Sequence, residues 1–107
     1  MDERNDVMAT SFSLGNVVAT KSVWELIVEN EKFSQFVTLC LSRYIANDWG
    51  EMDEEDLRSN DYAVSHDERL LASYRIPLEV EEAFEDRLWI ITEWDRSVTT
   101  LLFPGDY

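Results

Sequence analysis

Cysteine and histidine each occur once in this 107-residue chain, proline twice and glycine three times. Cys40 and His66 alone cannot supply the clustered donors of a structural zinc site, and a single cysteine closes no internal disulfide. Cys40 stands among Val37, Leu39 and Leu41, where a free thiol is expected to pack as a small buried hydrophobe, and it fits a reducing cytoplasm. His66 sits in the polar stretch Ser65-His66-Asp67-Glu68 and is expected at the surface. Gly15, Gly50 and Gly105 are too far apart to form a phosphate-binding loop. No apolar run is long enough to cross a bilayer, and residues 1–11 lack the basic start and apolar centre of a signal peptide. Basic residues are scarce too: 9 Lys and Arg stand against 23 Asp and Glu, for a formal net charge of −14. That balance argues against direct contact with nucleic-acid phosphates or anionic membranes, both of which attract Lys and Arg clusters. A basic protein is the partner it favours, with electrostatic steering of the encounter. No catalytic residue, metal ligand or cofactor is assigned.

What is present suffices for one folded domain: 45% of the residues are hydrophobic and 12% aromatic, over a length that can bury a modest core. Residues 1–11 read as a flexible polar extension and 12–107 as a single domain. Phe12, Leu14, Val17 and Val18 suggest a short first strand broken by Gly15 and ending near Ala19 or Thr20. Thr20 and the Ser22/Glu25 pair offer competing helix starts, with Trp24, Leu26, Ile27 and Val28 as the apolar side. Asn30 either stops that helix or caps the next. Phe33, Phe36, Val37, Cys40, Leu41, Tyr44 and Ile45 recur at three- and four-residue spacing and predict an amphipathic helix over 31–46. After the turn letters Asn47, Asp48, Trp49 and Gly50, Asp53 is the expected N-cap of an acidic surface helix reaching His66. Leu70 to Ile76 predicts a strand ended by Pro77. Leu88 to Trp94 and Val98 to Phe103, flanking Asp95, Arg96 and Ser97, predict an antiparallel hairpin with Thr92 opposite Thr99 and Ile90 opposite Leu101. The expected fold class is α+β: an antiparallel sheet of three to four strands built on a C-terminal meander, with about three helices packed mainly on one face.

Carboxylates are the abundant functional group, gathered in two runs. Glu51, Asp53, Glu54, Glu55 and Asp56 form the first, and Glu79, Glu81, Glu82, Glu85 and Asp86 the second. Paired carboxylates hold magnesium or act as acid and base in nucleases, and Asp53 and Asp56 have helical spacing, so a carboxylate-dependent nuclease is one alternative. A capped, solvated helix start explains the same pair. If both runs share one side of the fold, they present an acidic surface to a basic, nucleic-acid-handling protein, standing where phosphates would bind. Trp49, Trp94 or Tyr107, where exposed, would supply apolar anchors, and at least two of the four tryptophans are expected to pack in the interior. Glu93, Trp94, Asp95 and Arg96 form the hairpin tip and, with Asp48, Trp49 and both acidic runs, complete the candidate partner-binding set.

Four segments add a resemblance: Leu14–Thr20 (LGNVVAT), Asp48–Asp61 (DWGEMDEEDLRSND), Leu70–Ile76 (LLASYRI) and Ile90–Tyr107 (IITEWDRSVTTLLFPGDY). They resemble a family of small bacterial proteins carried on plasmids and other mobile elements, labelled plasmid-related or as a restriction-modification component. The likeness covers roughly half of the chain, and its specific parts are DWG and ITE-x-DRS-x-TT. Residues 1–11 and the long connection 77–87 depart from it, so the second acidic run has no counterpart in the family. The chain is also similar to type II-A anti-CRISPR proteins of mobile elements. That similarity implies a non-enzymatic inhibitor in the bacterial cytoplasm that binds Cas9 or its guide-RNA complex and interferes with guide loading or DNA cleavage. Cas9 holds its heteroduplex in a positively charged channel, which suits an acidic partner. The plasmid label implies instead an accessory protein acting on restriction or replication machinery.

Overall fold

The computed structural model describes residues 12–107 except 81, 82 and 84. The expected extension over residues 1–11 lies outside the described residues, as do Glu81 and Glu82 of the second acidic run. Strand β1 (Asn16–Ala19) is followed by helices α1 (Lys21–Glu29), α2 (Glu31–Ile45) and α3 (Glu54–His66). Strands β2 (Leu70–Arg75), β3 (Arg87–Thr92) and β4 (Val98–Leu102) come next, and a 3₁₀ turn, Pro104–Asp106, ends the chain. Asn30 closes α1 with its backbone N–H on the Leu26 carbonyl and opens α2 with its side chain, which accepts the Phe33 N–H at 2.9 Å. Asp53 caps α3 by accepting the Asp56 N–H at 2.9 Å, and Glu54, Glu55 and Asp56 follow in the first turn, where the helix dipole favours them.

The sheet order is β1-β4-β3-β2. β2, β3 and β4 form the expected antiparallel meander, and the hairpin register is the expected one, Thr92 facing Thr99 and Ile90 facing Leu101. β1 pairs with β4 in parallel, so the sheet is mixed and not purely antiparallel. The reason lies in connectivity. A parallel neighbour needs a long crossover, and the three helices between β1 and β2 supply it. Gly15 sets where β1 begins: its φ is +63°, and a Cβ there would lie 2.3 Å from the Ser97 carbonyl oxygen. Only glycine lets the chain turn this close to the hairpin tip, after which the Asn16 N–H bonds to that same carbonyl at 3.0 Å. The expected break at Gly15 is thus the start of the strand, and Phe12 and Leu14 precede it. Phe12 is buried against Tyr44 and Trp49 instead.

One sheet face carries Leu70, Ala72, Tyr74, Leu88, Ile90 and Leu101, and these close a core with Val23, Phe33, Val37, Cys40, Tyr44 and Ala63 from the helices. On the other face the Tyr107 ring meets Trp89 edge-on at 5.9 Å. In α1, Val23 is buried and Leu26 and Ile27 are half-buried, whereas Trp24 and Val28 face water. The spacing of Val23, Leu26 and Ile27 defines one helical face, and Trp24 with Val28 defines another. Burial pushes the Cys40 thiol up to about 12, leaving it an unreactive packing group.

A single file of polar groups crosses this core. Thr99 Oγ1 donates to the Leu14 carbonyl at 2.7 Å, so it must accept from Thr92 Oγ1 at 2.8 Å. Thr92 then accepts from the Tyr44 hydroxyl at 2.7 Å. All three side chains are fully buried, and each hydroxyl has one proton to give, so the direction of the chain is fixed from α2 through β3 and β4 to the segment before β1. Thr99→Val leaves the Leu14 carbonyl and the Thr92 proton without partners and is expected to cost about 2 kcal/mol in urea unfolding. Thr92→Val with Thr99→Val is expected to cost clearly less than the sum of the single changes, because either one already breaks the file. Additive costs would show that the hydroxyls act separately.

Candidate partner-binding surface

The DWGE letters at 48–51 form a clamp between the end of α2 and strand β2. Arg43 reaches both acids, with Nε on Asp48 Oδ2 at 2.8 Å and Nη2 on Glu51 Oε2 at 3.0 Å. The Arg43 guanidinium holds the Asp48 carboxyl below its ordinary pKa. Partial burial alone would raise Glu51, but the Arg75 N–H and Arg43 outweigh it and leave Glu51 below its ordinary value too. Trp49, one of the three candidate anchors, is only 2% exposed and so is not available as one: its ring packs on Phe12 and Tyr44 and its indole N–H donates to Asp61 Oδ1 at 2.9 Å. Gly50 has φ +90°, and a Cβ there would lie 2.1 Å from the Ser73 carbonyl oxygen, so the approach to β2 requires glycine.

That approach seals the outer edge of β2. The Ser73 N–H donates to the Trp49 carbonyl at 3.1 Å, and the Ser73 carbonyl accepts the Glu51 N–H at 2.8 Å. Arg75 N–H donates to Glu51 Oε1 at 2.7 Å. From α3 the Asn60 side-chain amide takes both groups of Leu71, donating to its carbonyl at 2.7 Å and accepting its N–H at 3.2 Å. Arg87 adds a bond from Nη1 to the Glu51 carbonyl at 2.7 Å.

The hairpin tip is likewise bonded inward. Asp95 Oδ1 accepts both the N–H and the hydroxyl of Ser97, which hold its carboxyl below its ordinary pKa. Arg96, at φ +60°, donates to the carbonyls of Ala63 at 2.9 Å, Glu68 at 2.6 Å and Glu93 at 3.2 Å, tying the tip to the end of α3. Glu93 pairs with Arg69 at 3.7 Å. Of the four tip residues, Trp94 presents the exposed ring, at 65%.

Both acidic runs start at one end of the sheet. Glu51 is bonded to Ser73 and Arg75, so Asp53 and the first turn of α3 lie beside the end of β2, and the second run departs from that same strand end through Pro77. Its described part is a loop with a turn at Pro77–Val80, anchored by buried Val80. Glu85 is drawn inward and accepts the Gly105 N–H at 2.9 Å. Glu54 pairs with Arg58 at 3.8 Å, while Glu55, Asp56, Glu79 and Asp86 are exposed and make no ion pair among the described residues. Asp53 is occupied as a helix cap, and no group of three or more His, Cys, Asp or Glu among the described residues is arranged to hold a metal ion. No described helix is long and apolar enough to cross a membrane.

The candidate set omits the exposed apolar residues of β1 and α1: Val17, Val18, Trp24 and Val28, each 45% exposed or more. The offset of Trp24 and Val28 from the Val23, Leu26, Ile27 face was the signal available for two of them. No family model, curated protein or solved structure matches the chain.

The clamp has a pH signature. Asp48 and Glu51 have depressed pKa values in the folded chain, so on acidification the unfolded chain takes up protons first, near about pH 4. Their contribution is complete above that range and is lost as pH falls through the folded values. Arg43→Ala is expected to cost about 1 kcal/mol at neutral pH, since both carboxylates are partly solvated. It should also flatten the fall in stability between neutral pH and about pH 3. Urea midpoints across that range check both effects; an unchanged acid slope would remove the clamp as its source.

Proposed function

We propose that this chain is a non-enzymatic acidic binding protein that acts on a basic, nucleic-acid-handling protein. The observation that carries the proposal is the shared origin of the two acidic runs at one end of the sheet, with Glu55, Asp56, Glu79 and Asp86 exposed and free of ion pairs among the described residues. Carboxylates without ion pairs among the described residues, in a chain of net charge −14, generate a field that a cationic channel or groove would neutralise. The sequence resemblance to type II-A anti-CRISPR proteins makes Cas9 or its guide-RNA complex the first partner to try, with guide loading or DNA cleavage as the step impeded. Most of the carboxylates at 48–53 already serve the fold, so recognition falls to Glu55, Asp56 and the second run.

Purified protein is expected to co-elute with a type II-A Cas9 complex and to reduce DNA cleavage at moderate salt. Failure to associate with several type II-A Cas9 proteins would remove that target, and recovery of restriction or replication machinery in its place would favour the plasmid accessory role. Replacing Glu79, Glu81 and Glu82 by lysine should slow association about tenfold at low salt and flatten its salt dependence. An association rate that does not change would assign this run to a solvated face.

A further inference from the structure

The two edges of the sheet are treated in opposite ways. On β2 every outward N–H is occupied: Leu71 by Asn60, Ser73 by Trp49, Arg75 by Glu51. On β1 the Asn16 and Thr20 N–H groups bond to Ser97 and Leu101 of the β4 side. Alternation along the strand therefore turns Val18 inward as well and points the N–H and C=O of Val17 and Ala19 away from the sheet. No described residue bonds to those groups. β1 also lacks the usual guards of an edge: it holds no proline and no charge, and Val17 and Val18 are 46% and 45% exposed.

We infer that the open edge of β1 is a strand-addition site for an extended basic segment of the partner protein, an inference that rests on the proposed binding role. The chemistry follows from what flanks the edge. At its start the Asn16 N–H meets Ser97, whose own N–H is held by the Asp95 carboxylate. At its end Asp106 accepts the hydroxyls of Thr20 at 2.7 Å and Ser22 at 2.8 Å. Although partial burial would raise Asp106, the Thr20, Phe103 and Ser22 donors overcome it and keep its pKa depressed, so it remains charged. A carboxylate thus stands near each end of a four-residue strand, which suits an incoming strand with β-branched residues in the middle and Lys or Arg at both ends. The two other occupants carry the wrong charge. A second copy brings another net −14, and residues 1–11 contain Asp2, Glu3 and Asp6 against Arg4 alone.

The test is amide hydrogen exchange at Val17 and Ala19 in the full chain, with the synthetic peptide Lys-Thr-Val-Thr-Val-Arg and its counterpart with glutamate at both ends. The basic peptide is expected to slow exchange at these two amides about tenfold and the acidic one to leave it unchanged. Absence of slowing with either, or equal slowing with both, overturns the inference. So does slow exchange in the free monomer, which would assign the edge to residues 1–11, or slow exchange only where sedimentation shows a dimer. Val17→Pro removes one outward N–H and keeps the bonds to β4, a position where an edge strand tolerates proline, and should abolish the peptide effect. If that variant fails to fold, the exchange comparison on the natural sequence still decides. A chain that takes the peptide but no Cas9 complex loses its proposed target, whereas one whose Val17→Pro form binds the Cas9 complex undiminished loses the edge.

Discussion

Three buried hydroxyls and one carbonyl, running from Tyr44 through Thr92 and Thr99 to Leu14, are the constraint around which the molecule is arranged. Polar groups deep in an apolar core are costly unless each is matched, and here each proton has one acceptor in line. Satisfying that file brings together α2, both hairpin strands and the segment entering β1, elements far apart in sequence. A hairpin slipped by one residue would place Thr92 and Thr99 on opposite faces of the sheet and break the file between them. The register of the sheet is thus enforced by polar matching as well as by hydrophobic burial.

The edges extend the same logic. Sealing β2 takes the glycine at 50, the Glu51 carboxylate and the Asn60 amide, supported by Arg43 and Arg87. The letters that look most distinctive, DWG and DRS-x-TT, are therefore spent on holding the framework together. Asp48, Trp49, Glu51, Asp95, Arg96 and Thr99 all make bonds within the chain. Function, in the proposed reading, is left to residues with few obligations among the described residues: the carboxylates without ion pairs there at one end of the sheet and the strand whose outer edge no described residue covers.

Much of the fold was legible in the letters because local rules govern it. Asp53 and Asn30 cap helices as their chemistry requires, the 33–44 pattern buries the expected face of α2, and β-branched residues around a polar turn give the hairpin and its register. The direction of β1 was not legible, since it depends on a crossover through three helices and on a glycine placed against a carbonyl distant in sequence. Nor was the fate of Trp49 and Trp24. An indole beside Asp48 reads as a surface anchor until Phe12, Tyr44 and Asp61 are seen to enclose it, and an indole in an apolar helix reads as core until the neighbouring face takes that place.

The sequence by itself determined most of the elements, the hairpin pairing, the scarcity of cysteine and histidine, and an excess of negative charge, because each is a property of composition or of residues close along the chain. Tertiary structure alone decided which acids are consumed by arginines and backbone donors, which tryptophans reach water, and which edge of the sheet the described residues seal. Those outcomes depend on groups brought together from opposite ends of the chain, and no local pattern encodes a partner that arrives from so far away.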